Sequence, residues 1–259
     1  MNNYETRPNS IKYNHIQHVG LYSYLSTLCE RDFLRGCQRP PKYFPGKENK
    51  LILLLSAFAI TSAVLHIRAD FKQRWNQTYI FKPLTLAIII LIALFQASEV
   101  SIFYKTMIIL GLMVSMAGDV FLMKRTDKFI QGLSSFFMAH LLYLAAFISS
   151  SGFPTNYYLL IPGLVIALLF LKILLPRAGK MAIPVTFYII ILVMMLWQSS
   201  DRMILSYTSS SILAFLGTGF FVFSDATLGI NRFVKKSSGG QALVLLTYYT
   251  AQLFIAYSV

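Results

Sequence analysis

From about Leu51 onward the chain alternates long apolar runs with short polar breaks. Eight runs reach the roughly 17 to 25 mostly apolar residues that a bilayer-spanning helix needs: 50–67, 82–98, 106–123, 133–150, 157–175, 181–198, 209–230 and 241–258. The pattern predicts an all-α integral membrane fold of eight transmembrane helices over 49–259. Pro83 and Pro184 stand at the starts of their runs, where a missing N–H costs no hydrogen bond, and Pro162 lies inside the fifth. Residues 1–48 are different in kind: Pro40-Pro41 and Pro45-Gly46 break them, and Lys and Arg recur along them. They read as a polar, basic N-terminal tail. The tail is no secretory signal, so the run from Leu51 is expected to act as a signal-anchor that is kept.

Composition sharpens this picture. Of 259 residues, 56% are hydrophobic and 13% charged, against about 25% charged in soluble domains. The formal net charge of +13 raises nucleic acid as a partner. The Lys and Arg are spread between apolar runs, however, and form no single basic face, which excludes that class. Cys29 and Cys37 have no partner spacing that reads as a metal knuckle or a disulfide framework.

Loop charge is uneven. The breaks after runs one, three, five and seven carry Arg68, Lys72, Arg74, Lys82, Lys124, Arg125, Lys128, Lys172, Arg177, Lys180, Arg232, Lys235 and Lys236, whereas those after runs two, four and six hold only Lys105 and Arg202. The positive-inside rule puts the first set in the cytoplasm and both termini outside; the basic tail argues the other way. A weak repeat is also present. Gly118-Asp119 closes run three and Ser224-Asp225 closes run seven, and each is followed by a basic loop and a run with a polar centre, His140 and Tyr143 or Tyr249 and Gln252. Two four-helix halves in the same orientation fit this pattern.

Of ten carboxylates, only Asp119 and Asp225 fall inside the predicted runs. A carboxylate at helix centre costs about 2.5–3.5 kcal/mol to insert, so such groups face the bundle interior and serve a function. The helical rise puts Asp119 roughly 7 Å and Asp225 roughly 10 Å from the basic loops that follow them. His140, Tyr188 and Tyr249 lie roughly 10 Å into runs that start from the same side, and Lys82 stands at the start of run two. Six helices thus place polar groups in one half of the membrane, which predicts a single polar pocket opening toward the basic loops. Plainer roles exist for each group. The aspartates can pair with Lys124 and Arg232 at the helix ends, His140 can bond between helices, the tyrosines can belong to an interfacial belt, and Lys82 can be a positive-inside charge. His66 reads as a loop-edge residue. Two aspartates and a histidine have three chemical uses: divided acid and base roles, a divalent metal site, for which one His without HxxxH spacing is a poor match, or a proton relay in a transporter.

The motifs together resemble the YhhN family, which includes the lysoplasmalogenases, over about residues 50–258. They are Lys82-Pro83-Leu84-Thr85, Ser115 through Gly118-Asp119-Val120 with Leu122, Phe129 with Gly132-Leu133, and Ser135-Phe136 before Ala139-His140 and Tyr143. Pro184-Val185 with Tyr188, Phe223-Ser224-Asp225 with Leu228, and Tyr248-Tyr249 with Gln252 complete the series. Gly217-Thr218 departs from the Gly-Ala pair expected there. The resemblance implies a membrane hydrolase that cleaves the vinyl ether bond of lysoplasmalogens to a fatty aldehyde and glycerophosphocholine or glycerophosphoethanolamine. That chemistry needs a protonated acid and an anion beside the cation, and the reading taken here is Asp225 as general acid, Asp119 as cation stabiliser and water-orienting base, with the two able to exchange roles, and His140 as proton partner. Lys82 would hold the phosphate, and Tyr143, Tyr188, Ser224, Tyr249 and Gln252 would surround the substrate, with its chain in the apolar half of the bundle. No metal or cofactor is expected. The partners are a lysophospholipid and the bilayer, and the location is the inner membrane in a bacterium or the endoplasmic reticulum in a eukaryote. The rival from another class is a lipid or proton-coupled transporter built on the same polar core. An intramembrane aspartyl protease is a second rival, but it would carry Tyr-Asp and Gly-x-Gly-Asp motifs in place of Gly118-Asp119 and Ser224-Asp225.

Overall fold

The structure, a computed structural model, describes residues 48–97, 100–123 and 128–259. The tail, with Cys29 and Cys37, lies outside the described residues, as do Lys124 and Arg125. Eight α-helices of 19 residues or more run through the described part: α1 (Glu48–Phe71), α2 (Trp75–Phe95), α3 (Ile102–Met123), α4 (Phe129–Ser151), α5 (Leu160–Ala178), α6 (Ala182–Ser206), α7 (Ser209–Phe233) and α8 (Ser238–Tyr257). Single 3-10 turns, Tyr157–Leu159 and Gly179–Met181, lead into α5 and α6. Six helical stretches among the described residues are long and apolar enough to cross a membrane. One of them, Tyr157–Ser206, contains both α5 and α6. Helix α8, which carries Gln241, Tyr248, Tyr249 and Gln252, is not among the six.

Why this sequence forms a bundle follows from where its side chains go. Large apolar groups such as Leu53 (73% exposed) and Leu168 (66%) cover the outside, as lipid-facing helices require. The interior holds Leu86, Ile108, Tyr143, Met195, Phe221 and Ile255, all fully buried. Sequential helices α1 and α2, α3 and α4, and α7 and α8 pack together, while α4 against α6 and α2 against α8 tie early helices to late ones. Small residues permit the closest approach. A Cβ built on Gly111 of α3 would lie 2.3 Å from Tyr143 Cε1, and one on Gly132 of α4 would lie 2.6 Å from Leu122 Cδ2.

Three places in the chain depart from what their sequence context predicts. Lys82 and Pro83 were expected at the start of a helix, but α2 begins at Trp75. The polar stretch 75–81 reads as loop by hydropathy, yet it forms two helical turns that bury Lys82 to 8% exposure. Pro83 is therefore interior, and its missing N–H leaves the Tyr79 carbonyl without its helical donor. His66 is no loop-edge residue either: α1 continues to Phe71 and His66 is 1% exposed. Its Nδ1 meets the Tyr249 hydroxyl at 2.8 Å.

The third is Arg202, counted as a loop charge in the sequence. Helix α6 runs to Ser206, and both Asp201 and Arg202 are buried in it. The guanidinium donates from Nη2 to Ser210 Oγ (2.8 Å), from Nε to Ser150 Oγ (3.1 Å) and from Nη1 to the Tyr104 hydroxyl (3.2 Å). It also lies 4.7 Å from the centre of the Tyr104 ring. The Asp201 carboxylate accepts the Thr155 and Asn156 backbone N–H groups at 3.2 and 3.1 Å, fixing the turn before α5. A charged pair of neighbours in sequence thus spends its charges on different partners. The two clamp α3, α4, α6 and α7 to one another and to that turn.

Candidate active site

Two carboxylates organise the other end of the bundle. Asp119, near the C-terminal end of α3, is 2% exposed. Its Oδ1 lies 3.0 Å from Lys82 Nζ of α2, and its Oδ2 accepts the Tyr248 hydroxyl of α8 at 2.9 Å. One oxygen has a cation and the other a neutral donor, an arrangement that suits a carboxylate anion. Asp225, on α7, has a side chain that is 10% exposed. Its Oδ2 accepts the Tyr188 hydroxyl of α6 at 2.8 Å and lies 3.4 Å from His140 Nε2 of α4.

The histidine's own hydrogen bond limits what this contact can be. His140 Nδ1 sits 2.6 Å from the Phe136 carbonyl oxygen, which can only accept, so Nδ1 carries a hydrogen. Nε2 is left to face Asp225. That nitrogen has no other partner among the described residues, and at 3.4 Å its contact with Asp225 is too loose to count as a hydrogen bond. Nε2 is therefore the His140 atom that stands beside the Asp225 carboxyl. Catalytic hydrogen bonds are often long before substrate binds. Aromatic rings fix the imidazole, with Phe221 at 5.1 Å and Tyr188 at 5.5 Å between ring centroids.

The two sites share a plan. Lys82 precedes Asp119, and Tyr188 precedes Asp225, by the same 37 residues. Each carboxylate also takes a second partner from farther along the bundle: Asp119 from α8 through Tyr248, Asp225 from α4 through His140. Six side chains from α2, α3, α4, α6, α7 and α8 are thereby linked, and four of them, Lys82, Asp119, Asp225 and Tyr248, face one space while His140 and Tyr188 stand behind Asp225.

That space is a polar cavity of about 440 Å³ lined by Lys82, Asp119, Ser224, Asp225, Arg232 and Tyr248 among others. Asn231, Lys235, Lys236 and Gln241 form its mouth together with the exposed Arg232. Arg232 lies 4.7 Å from the centre of the Phe129 ring. Ser224 donates to the Val244 carbonyl at 3.1 Å, which ties α7 to α8 beside the cavity. The other expected substrate contacts sit apart. Tyr143 and Gln252, both fully buried, bond to each other at 3.0 Å and are not among the residues lining this cavity. Tyr249 turns to His66 and lines a different, apolar pocket between α1, α2 and α8. Among the described residues no group of three or more His, Cys, Asp or Glu side chains is placed to hold a metal ion.

Tyr248 has no role assigned to it by sequence, although it supplies the donor to Asp119. Adjacent helical positions point about 100° apart, so Tyr248 and Tyr249 meet different partners, Asp119 and His66. The lysines of the cavity mouth were visible only as loop charges.

Known proteins support the same picture. The membrane protein YhhN of Escherichia coli O6:H1 is 24% identical over 197 residues, covering 76% of this chain and 94% of that protein. The lysoplasmalogenase TMEM86A of Bos taurus is 30% identical over 159 residues, covering 59% of this chain and 65% of that protein. The lysoplasmalogenase TMEM86B of Sus scrofa is 28% identical over 227 residues, 86% and 93% of the two chains. No solved structure matches the chain. The YhhN family profile matches residues 77–259, a stretch that contains both carboxylates and every partner described for them. The chain is a membrane protein and belongs to the YhhN family.

Proposed function

We propose that this protein is a membrane hydrolase that opens the vinyl ether bond of a lysophospholipid, releasing a fatty aldehyde and a glycerophospho-alcohol. The observation that carries the reading is the inequality of the two carboxylates in one cavity: Asp119 paired with Lys82, Asp225 beside His140 and the Tyr188 hydroxyl. Relatives that bear the name lysoplasmalogenase support it.

The chemistry divides along that inequality. Asp225, as the acid, delivers its proton to the alkene carbon nearer the chain; the double-bond electrons form the new C–H bond and leave an oxocarbenium ion. Asp119, held as an anion by Lys82, faces that cation and orients a water molecule, as the second carboxylate does in glycosidases. The water oxygen bonds to the cationic carbon and its proton passes to the basic side of the site. Collapse of the hemiacetal breaks the bond to the glycerol oxygen, which leaves with a proton, and the hemiacetal hydroxyl becomes the aldehyde. The glycerol oxygen takes the proton that the water gave up, and the proton of the hemiacetal hydroxyl returns to Asp225 by way of His140 Nε2. Tyr188 holds Oδ2, leaving Oδ1 as the oxygen for substrate. Because Lys82 serves Asp119, the phosphate falls to Lys235 and Lys236 at the cavity mouth.

All eight helices cross the bilayer in this reading, the polar groups of α8 being turned inward. The chain is then two four-helix halves, α1–α4 and α5–α8, each contributing one aspartate from its third helix.

The test is aldehyde release from lysoplasmenylethanolamine by the purified full chain in detergent, with and without chelator. Asp225→Asn and Asp119→Asn should each lower the rate about 10²–10⁴-fold. Wild-type rates from both variants would sink the mechanism, and loss of activity on chelation would make it a metal reaction.

A further inference from the structure

A second, apolar cleft meets the polar cavity at Asp225. It lies between α5, α6 and α7, and its walls include Gly163, Phe170, Tyr188, Val193, Leu196 and Val222. Asp225, Phe129, Leu228 and Phe233 line both spaces, so the two adjoin at these residues. They differ in kind. The polar cavity has room for a headgroup, whereas the walls of the cleft are almost wholly apolar, which favours methylenes over a charged or hydrated group.

Its length also fits. Along α6 the wall from Tyr188 to Leu196 spans about 12 Å at the helical rise, most of the roughly 15 Å that one leaflet contributes to a bilayer's hydrocarbon core. Gly163 keeps the far end open: a Cβ there would lie 3.2 Å from Val193 Cγ1.

We propose that this cleft holds the hydrocarbon chain of the substrate, so that Asp225 sits at the point where chain and headgroup join. The inference rests on the vinyl ether reading given above and adds where the substrate lies. In a lysoplasmalogen the scissile bond is the junction itself, with the alkenyl chain on one side of the ether oxygen and the glycerophosphate on the other. A substrate laid across the two spaces therefore presents its vinyl ether to Asp225 without any further recognition element. Leu196 then sets the end of the slot, and chain-length preference is a property of α5 and α6.

The experiment uses two readouts on the full chain in detergent. The first is photolabelling by a non-hydrolysable lysophospholipid ether with a diazirine at its chain terminus. The expected result is labelling of residues 160–167 and 193–196, competed by unlabelled long-chain ether lipid. Equal labelling of the lipid-facing surfaces of α1 and α2, without competition, overturns the proposal and marks ordinary bilayer contact. The second readout is the ratio of turnover on eighteen-carbon to eight-carbon vinyl ether substrates, which Leu196→Ala should raise at least threefold; an unchanged ratio also overturns it. Competed labelling in the cleft with no aldehyde from any chain length would leave the cleft standing and remove the hydrolase reading. Aldehyde release with labelling elsewhere would do the reverse.

Discussion

The Lys82–Asp119 pair gives the sharpest quantitative test. Both side chains are nearly sequestered, 10% and 3% exposed, so neither charge is well solvated if its partner is removed. Breaking a buried pair from one side costs about 3–5 kcal/mol, whereas replacing both members with neutral groups is often close to neutral. Lys82→Met should therefore destabilise the fold by about 3–5 kcal/mol. Asp119→Asn should cost a similar amount, eased slightly because the Tyr248 hydroxyl can still donate to the amide oxygen. The double variant should recover to within about 1 kcal/mol of wild type, giving a coupling energy of several kcal/mol, well beyond the limit of about 0.5 kcal/mol for independent sites. The assay is unfolding in mixed detergent micelles for all four proteins, with aldehyde release measured alongside. Activity should not return with stability, since the double variant lacks the anion that faces the oxocarbenium ion. Single variants that each cost under about 1 kcal/mol would contradict the buried-pair account. A stable double variant with wild-type turnover would show that the Asp119 charge serves the fold alone.

Three further outcomes follow from particular contacts. Tyr188→Phe removes the 2.8 Å donor to Asp225; hydrogen bonds to a charged group are worth about 1.5–3 kcal/mol, so turnover should drop about tenfold or more with little change in melting temperature. Arg202→Ala loses the donors that join Ser150, Tyr104 and Ser210 and should lower stability by several kcal/mol. Turnover per folded molecule should hold, because Arg202 is about 21 Å along α6 from Tyr188 at the helical rise. Gly111→Ala drives a methyl into the Tyr143 ring and should cost about 1–3 kcal/mol by overpacking. Tyr143→Leu in the same background should restore part of that, and thermal unfolding measures both.

Much of this architecture is legible in the apolar runs, because helices in lipid must carry continuous apolar sequence. What the runs hide is the length of each helix beyond its apolar part. Residues 75–81 and Asp201-Arg202 read as loop by hydropathy and Lys82 and His66 as the edges of runs, yet each is helical and Lys82, His66, Asp201 and Arg202 have partners inside the bundle. Polar ends of helices bury themselves by finding partners, and partners distant in sequence leave no local trace. The aspartates and His140 stand out in sequence because an ionisable group in an apolar run is costly. Tyr248 does not, since tyrosine is at home at an interface and its neighbour Tyr249 offers the same side chain.

The crossed wiring of the two aspartates has a consequence for how such a site can arise and diverge. In the two-half reading neither half holds a finished centre: α8 completes the aspartate of the first half, and α4 that of the second. A severed half should be inert, and function should reappear only when both are made together. Crossing also separates inheritance from chemistry. In that reading the scaffold keeps its symmetry while Lys82 and Tyr188, each 37 residues before its aspartate, differ in identity, so that neighbours alone would set two like carboxylates to different tasks.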